Sequence, residues 1–61
     1  MSELLQRRIE LANKAFRIGA SGFTILKTWE MVALQAAEEN DETAFCDADD
    51  HIEMVKKVYN I

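Results

Sequence analysis

An all-α fold, either a small three-helix domain or a helical hairpin, paired with a second copy of itself, is what this sequence predicts, and three observations predict it. Proline is absent and only Gly19 and Gly22 interrupt 61 residues. Ala, Leu, Glu and Lys, which enter a helix at little entropic cost, are common. Apolar residues recur at three- and four-residue spacings along most of the chain, the period of a helix with one buried face.

The first helix is expected over about residues 3–18. Ser2 can cap its free amides, and Glu3 and Glu10 complement the positive end of its dipole. Leu5, Ile9, Ala12, Phe16, Gly19, Phe23 and Leu26 then follow at alternating spacings of four and three, a heptad-like seam. The seam fails beyond Leu26, where its next positions are Glu30 and Ala33, and the apolar set shifts to Gly22, Ile25, Trp29, Val32 and Ala36. The phase change falls at or just after GASG, residues 19–22. A break there, with Ser21 capping a second helix over about 22–38, explains it. A single helix over about 3–38 is the alternative, but two interior glycines would cost it about 2 kcal/mol relative to alanine.

EENDET, residues 38–43, reads as the next connection, with its centre at 39–43 and Asn40, Asp41 or Thr43 as caps. A last helix over about 44–60 places Phe45, Ala48, Ile52, Val55 and Tyr59 on one stripe, and Lys56 and Lys57 suit its negative end. Asp47, Asp49 and Asp50 are poor interior helix residues, so a start as late as Asp47 is compatible with the sequence. The whole chain, residues 1–61, is read as one helical domain.

A chain this short removes only about 60% of its unfolded surface from water on folding. Cys46 is the only cysteine, so no disulfide can form within the chain. Association is the remaining means of stabilisation, and a homodimer is expected. Leu5, Ile9, Phe16, Phe23, Ile52, Val55 and Tyr59 are the expected core or dimer seam. Helical spacing reads Trp29 and Phe45 as core or seam too, and where such side chains stay exposed Trp29, Met31 and Val32 are the expected surface for a protein partner. The N-terminal sequence lacks the apolar run of a secretory signal, and no stretch reaches the roughly 18 to 20 apolar residues of a membrane span. A lone thiol suits a reducing compartment, so the cytoplasm is the expected location, with no membrane partner.

The net charge of −4 conceals a segregation. Residues 1–18 hold four basic side chains (Arg7, Arg8, Lys14, Arg17) against Glu3 and Glu10, whereas residues 38–53 hold eight acids and no Lys or Arg. The two regions can attract each other, within a chain or between two, and the acidic one repels nucleic acid.

Enzyme chemistry finds little footing. In CDADDH, Asp47 and His51 are four apart, as are Cys46 and Asp50, so each pair shares a helix face. Zinc needs three or four convergent ligands, and there is no second Cys or His to complete a site. An EF-hand beginning at Asp47 would put Ile52 where the loop glycine belongs and Val58 at the bidentate glutamate. GASG has neither the spacing nor the Lys-Ser/Thr ending of a phosphate loop. No catalytic residue, metal site or cofactor is expected.

The elbow resembles the helix-turn-helix family at Ala15, Gly19, Ala20, Ser21 and the Thr24-Ile25 pair that opens the second helix. ANKAFRIG looks like the first motif helix of small phage and transposon excisionases, and the chain is similar in style to small accessory proteins of temperate lambdoid phages. The match covers residues 12–30 and departs at Lys14, where the family is usually apolar, and at Thr28, where an apolar anchor is expected. The resemblance implies two functions. One is a regulatory protein that binds regulators of host or phage development, within a bacterial cytoplasm. The other is a compact DNA-binding regulator whose phosphate contacts would come from Arg7, Arg8, Lys14, Arg17 and Lys27. The sequence favours the first, because a specific reader needs more cations than Lys27 alone on its second helix.

Overall fold

In a computed structural model, which describes residues 2–61, the chain forms three helices: α1 (Glu3–Arg17), α2 (Gly22–Glu38) and α3 (Glu42–Tyr59). There is no strand among the described residues. Each helix starts on a side-chain cap. Ser2 Oγ accepts from the Leu5 amide at 3.0 Å, Ser21 Oγ from Thr24 at 3.2 Å and Asp41 Oδ1 from Ala44 at 3.1 Å. Each therefore satisfies an amide that the helix itself leaves open.

The ends are equally regular. Gly19, Asn40 and Asn60 take the left-handed conformation, with φ of 74°, 56° and 57°. After α1, the Ala20 amide reaches back to the Ala15 carbonyl at 3.0 Å; after α2, Asp41 reaches Ala36 at 2.9 Å; after α3, Ile61 reaches Lys56 at 3.0 Å. The break at GASG is thus a hydrogen-bonded helix end followed by a capped helix start, and the continuous-helix alternative does not form. A Cβ on Gly19 would meet nothing within 4 Å, so only its positive φ calls for glycine. We predict that Gly19→Ala lowers stability by about 1 kcal/mol. Gly19→Asn should be near neutral, since Asn40 and Asn60 hold the same conformation. Urea midpoints would check both, and a stable Gly19→Ala would refute the account.

The third helix begins earlier than its aspartates suggested. Asp41 caps it and Glu42 opens it, so the connection after α2 shrinks to residues 39–41 and Asp47, Asp49 and Asp50 lie within the helix, exposed to water. Exposure relieves the cost of their low helix propensity.

α2 is the central element and packs against both neighbours, while α1 and α3 come nowhere within 8 Å of each other, Cα to Cα. Ser2 Oγ donates to Glu39 Oε2 at 2.6 Å, which ties the start of α1 to the end of α2. Tyr59 at the end of α3 covers Gly22 at the start of α2. Both outer helices therefore run antiparallel to α2 and parallel to each other.

The core consists of Leu5, Ala12 and Ala15 from α1, Ile25, Leu26, Trp29, Val32 and Ala36 from α2, and Ala44, Ala48 and Val55 from α3. Alanines at most of the crossing positions let the helices approach closely. Ile9 and Ile52 pack on the edge of this core. Trp29 and Val32, expected on a partner surface, are instead only 3% and 1% exposed. The physical reason is register: both belong to the Ile25, Trp29, Val32 and Ala36 stripe, and that stripe is the face α2 turns to its neighbours. Phe16, Phe23 and Tyr59 of the expected seam are exposed in the single chain.

Candidate functional site

Because α1 and α3 do not close on each other, a cleft of about 300 Å³ opens between them. Ile25 and Trp29 of α2 form its base, Asn13 and Phe16 its α1 wall, and His51, Met54, Val55, Val58 and Tyr59 its α3 wall. At the base the Trp29 and His51 rings stack with centroids 3.8 Å apart and planes within 13°. His51 Nδ1 lies 2.8 Å from the Asp47 carbonyl oxygen, an acceptor, so this nitrogen carries the proton. Phe16, Met54 and Val58 are 64%, 60% and 69% exposed, so the cleft presents large apolar side chains to solvent at its mouth.

A second exposed apolar stripe follows the outer face of α2, through Phe23, Met31 and Leu34. Lys27 lies between them in the stripe, with its ammonium 5.5 Å from the centre of the Phe23 ring and 4.0 Å from Glu30 Oε1. Of the expected partner surface only Met31 is on this stripe. Leu34 was missed, although the helical face opposite Trp29 would have pointed to it.

The cations considered for DNA do not form one surface. Arg7 pairs with Glu3 at 2.8 Å, and Arg8 is half-buried with its Nε shielded and unpartnered. Lys14 and Arg17 are exposed on the side of α1 that also bears Glu3, Arg7 and Glu10, a face of mixed sign. Lys27 is on a different helix, with Glu30 beside it.

His51 and Cys46 do not converge. Cys46 is exposed and borders a separate hollow with Phe45, Ala36, Ala37, Asn40 and Asp41. Among the described residues no three His, Cys, Asp or Glu side chains gather around a point where a metal could sit.

The perturbed Glu39 carboxyl belongs to the fold rather than to a site. Hydrogen bonds from Ser2, at 2.6 Å, and from Gln35 Nε2, at 2.6 Å, hold the Glu39 carboxyl below its usual range. A carboxylate whose pKa is depressed by folding stabilises the fold above its unfolded pKa and loses that contribution as pH falls through the folded value. We predict that Ser2→Ala costs about 1 kcal/mol at neutral pH through the lost cap. The variant should also lose part of the wild type's decline in stability below about pH 4. Urea titrations of both proteins across that range would show it; parallel pH profiles would refute the Glu39 account.

No helix among the described residues is long and apolar enough to cross a membrane. No protein-family profile, no curated protein and no solved structure matches this chain.

Proposed function

We propose that this chain is a small non-enzymatic interaction protein that self-associates and binds a protein partner, acting by occlusion or scaffolding. The observation that carries this reading is the placement of its exposed apolar side chains. Phe16, Met54, Val58 and Tyr59 gather at the α1–α3 cleft, and Phe23, Met31 and Leu34 line the outer face of α2. Contiguous apolar surface of this kind on a small domain marks sites of association. Two such surfaces allow one to hold a second copy and the other to hold the partner, which we assign to the α2 stripe. Regulation of host or phage development, as the accessory-protein resemblance implies, is the biological setting of this proposal.

A DNA-binding regulator is the competing reading, and the electrostatics support it less. The face that would enter the major groove is the outer face of α2, where Lys27 is offset by Glu30 and the remainder is largely apolar. The decisive experiment is affinity capture from the lysate of the natural host, with and without nuclease. Wild type should retain a defined protein that resists nuclease, and a Phe23→Ser/Leu34→Ser variant should lose it. Capture that vanishes with nuclease, or duplex binding that falls steeply with salt and needs Arg17 and Lys27, would sink the proposal.

A further inference from the structure

The charge pattern at the mouth of the cleft specifies what fits there. On α1, Glu10 and Arg17 are seven residues apart and so lie along one side of the helix, just outside the wall formed by Asn13 and Phe16. On α3, Asp50 and Lys57 are likewise seven apart, just outside the wall formed by Met54 and Val58. All four side chains are exposed, and none takes part in an ion pair among the described residues.

The direction of the helices decides how these charges face each other. α1 and α3 run in parallel, so by register Glu10 stands at the Asp50 end of the cleft and Arg17 at the Lys57 end. Within one chain the two lips therefore carry like charges at like ends. That arrangement opposes closure of α1 on α3 and agrees with their standing apart. A helix approaching from outside matches each lip only if it runs antiparallel to it and carries the opposite charge at each end. A second copy of this chain, turned end for end, meets that requirement at both lips at once.

We infer that the cleft is the seat of an isologous dimer in which α1 of one copy lies antiparallel to α1 of the other, and α3 antiparallel to α3. Arg17 of each copy faces Glu10 of its partner, Asp50 faces Lys57, and Phe16, Met54 and Val58 fill the space between the two Trp29–His51 stacks. A two-fold axis across the helices generates every one of these contacts twice. The parallel alternative sets Arg17 against Lys57 and Glu10 against Asp50. This inference rests on the self-association in the proposed function and adds its surface and orientation.

Charge reversal tests it on the full-length chain, because Arg17 and Asp50 are both exposed and outside the core. By sedimentation equilibrium the wild type should dimerise, and Arg17→Glu and Asp50→Arg should each weaken the dimer about ten-fold, since each change affects two symmetry-related pairs. Circular dichroism would show that both variants remain helical. Glu10→Arg should weaken the dimer to the same extent, and mixing it with Arg17→Glu should yield a heterodimer close to wild type in strength. The glutamate introduced at position 17 of one chain then meets the arginine introduced at position 10 of the other, and the native Glu10–Arg17 pair closes the second site. Leu34→Ser, on the outer face of α2, should leave the dimer intact. A wild type that stays monomeric at high micromolar concentration would overturn both this inference and the self-association it rests on. A dimer that ignores the charge reversals, or is lost with Leu34→Ser, would overturn the cleft arrangement alone.

Discussion

Trp29→Ala is expected to leave this chain largely unfolded at room temperature. Trp29 is 3% exposed in the middle of the only helix that touches both others, and its ring is one face of the stack with His51. Truncating a buried tryptophan costs about 3–5 kcal/mol. A chain of this length is expected to have only about 3–9 kcal/mol in total. The loss is thus comparable to the whole stability of the domain. Because the ring also forms the base of the cleft, its removal deepens that cleft and admits water to the α2–α3 contact. Trp29→Phe keeps an aromatic face for His51 and should cost roughly half as much. Far-UV circular dichroism and urea unfolding, at matched protein concentration because the proposed self-association would add to apparent stability, would measure both. A cooperative Trp29→Ala transition with an unchanged midpoint would show that the core does not depend on this residue.

Trp29 also marks the limit of what the sequence made legible. The local signals were sufficient for the elements: Ser2 and Ser21 as caps, the phase change at GASG, and the absence of proline lead to α1 and α2 nearly to the residue. They were sufficient for much of the core as well, since Leu5 and Val55 on the predicted stripes are buried. Helical periodicity says which residues share a face, but not which stripe a neighbour covers. The stripe of Ile25, Trp29, Val32 and Ala36 is the one α2 turns to its neighbours, so Trp29 and Val32 are core and not partner surface. The cleft was illegible because it arises where two helices distant in sequence fail to meet. The start of α3 was misjudged through propensity: three aspartates argue against a helix interior, but a strong cap at Asp41 and exposure of all three override that preference. The bond from Ser2 to Glu39 joins residues 37 apart in the chain and had no local signature.

Gly22 gives the second large expected effect, with a change of sign as its readout. Both glycines of GASG looked like parts of one elbow, but only Gly19 has a positive φ. Gly22 is the first residue of α2, and a Cβ placed on it would stand 2.5 Å from Tyr59 Cγ, 2.7 Å from Cδ1 and 2.8 Å from Cβ. These atoms are the root of the side chain, fixed by the last turn of α3, so the ring cannot simply swing its tip away. Gly22→Ala should therefore displace the end of α3 and destabilise the chain by about 1–3 kcal/mol, the usual cost of overpacking. Removing the obstacle should reverse the effect. On a Tyr59→Gly background, which removes all three of these atoms, the same substitution no longer meets them, and the better helix propensity of alanine should contribute up to about 1 kcal/mol in its favour. A double-mutant cycle by urea unfolding would read the coupling directly. Because Tyr59 is also a wall of the cleft, Gly22→Ala alone should weaken the proposed dimer while leaving α1 and α2 helical. A Gly22→Ala variant that is stabilised with Tyr59 in place would mean that the α2–α3 contact has room to spare, and that the second glycine of the elbow is there for some other reason than the tyrosine 37 residues beyond it.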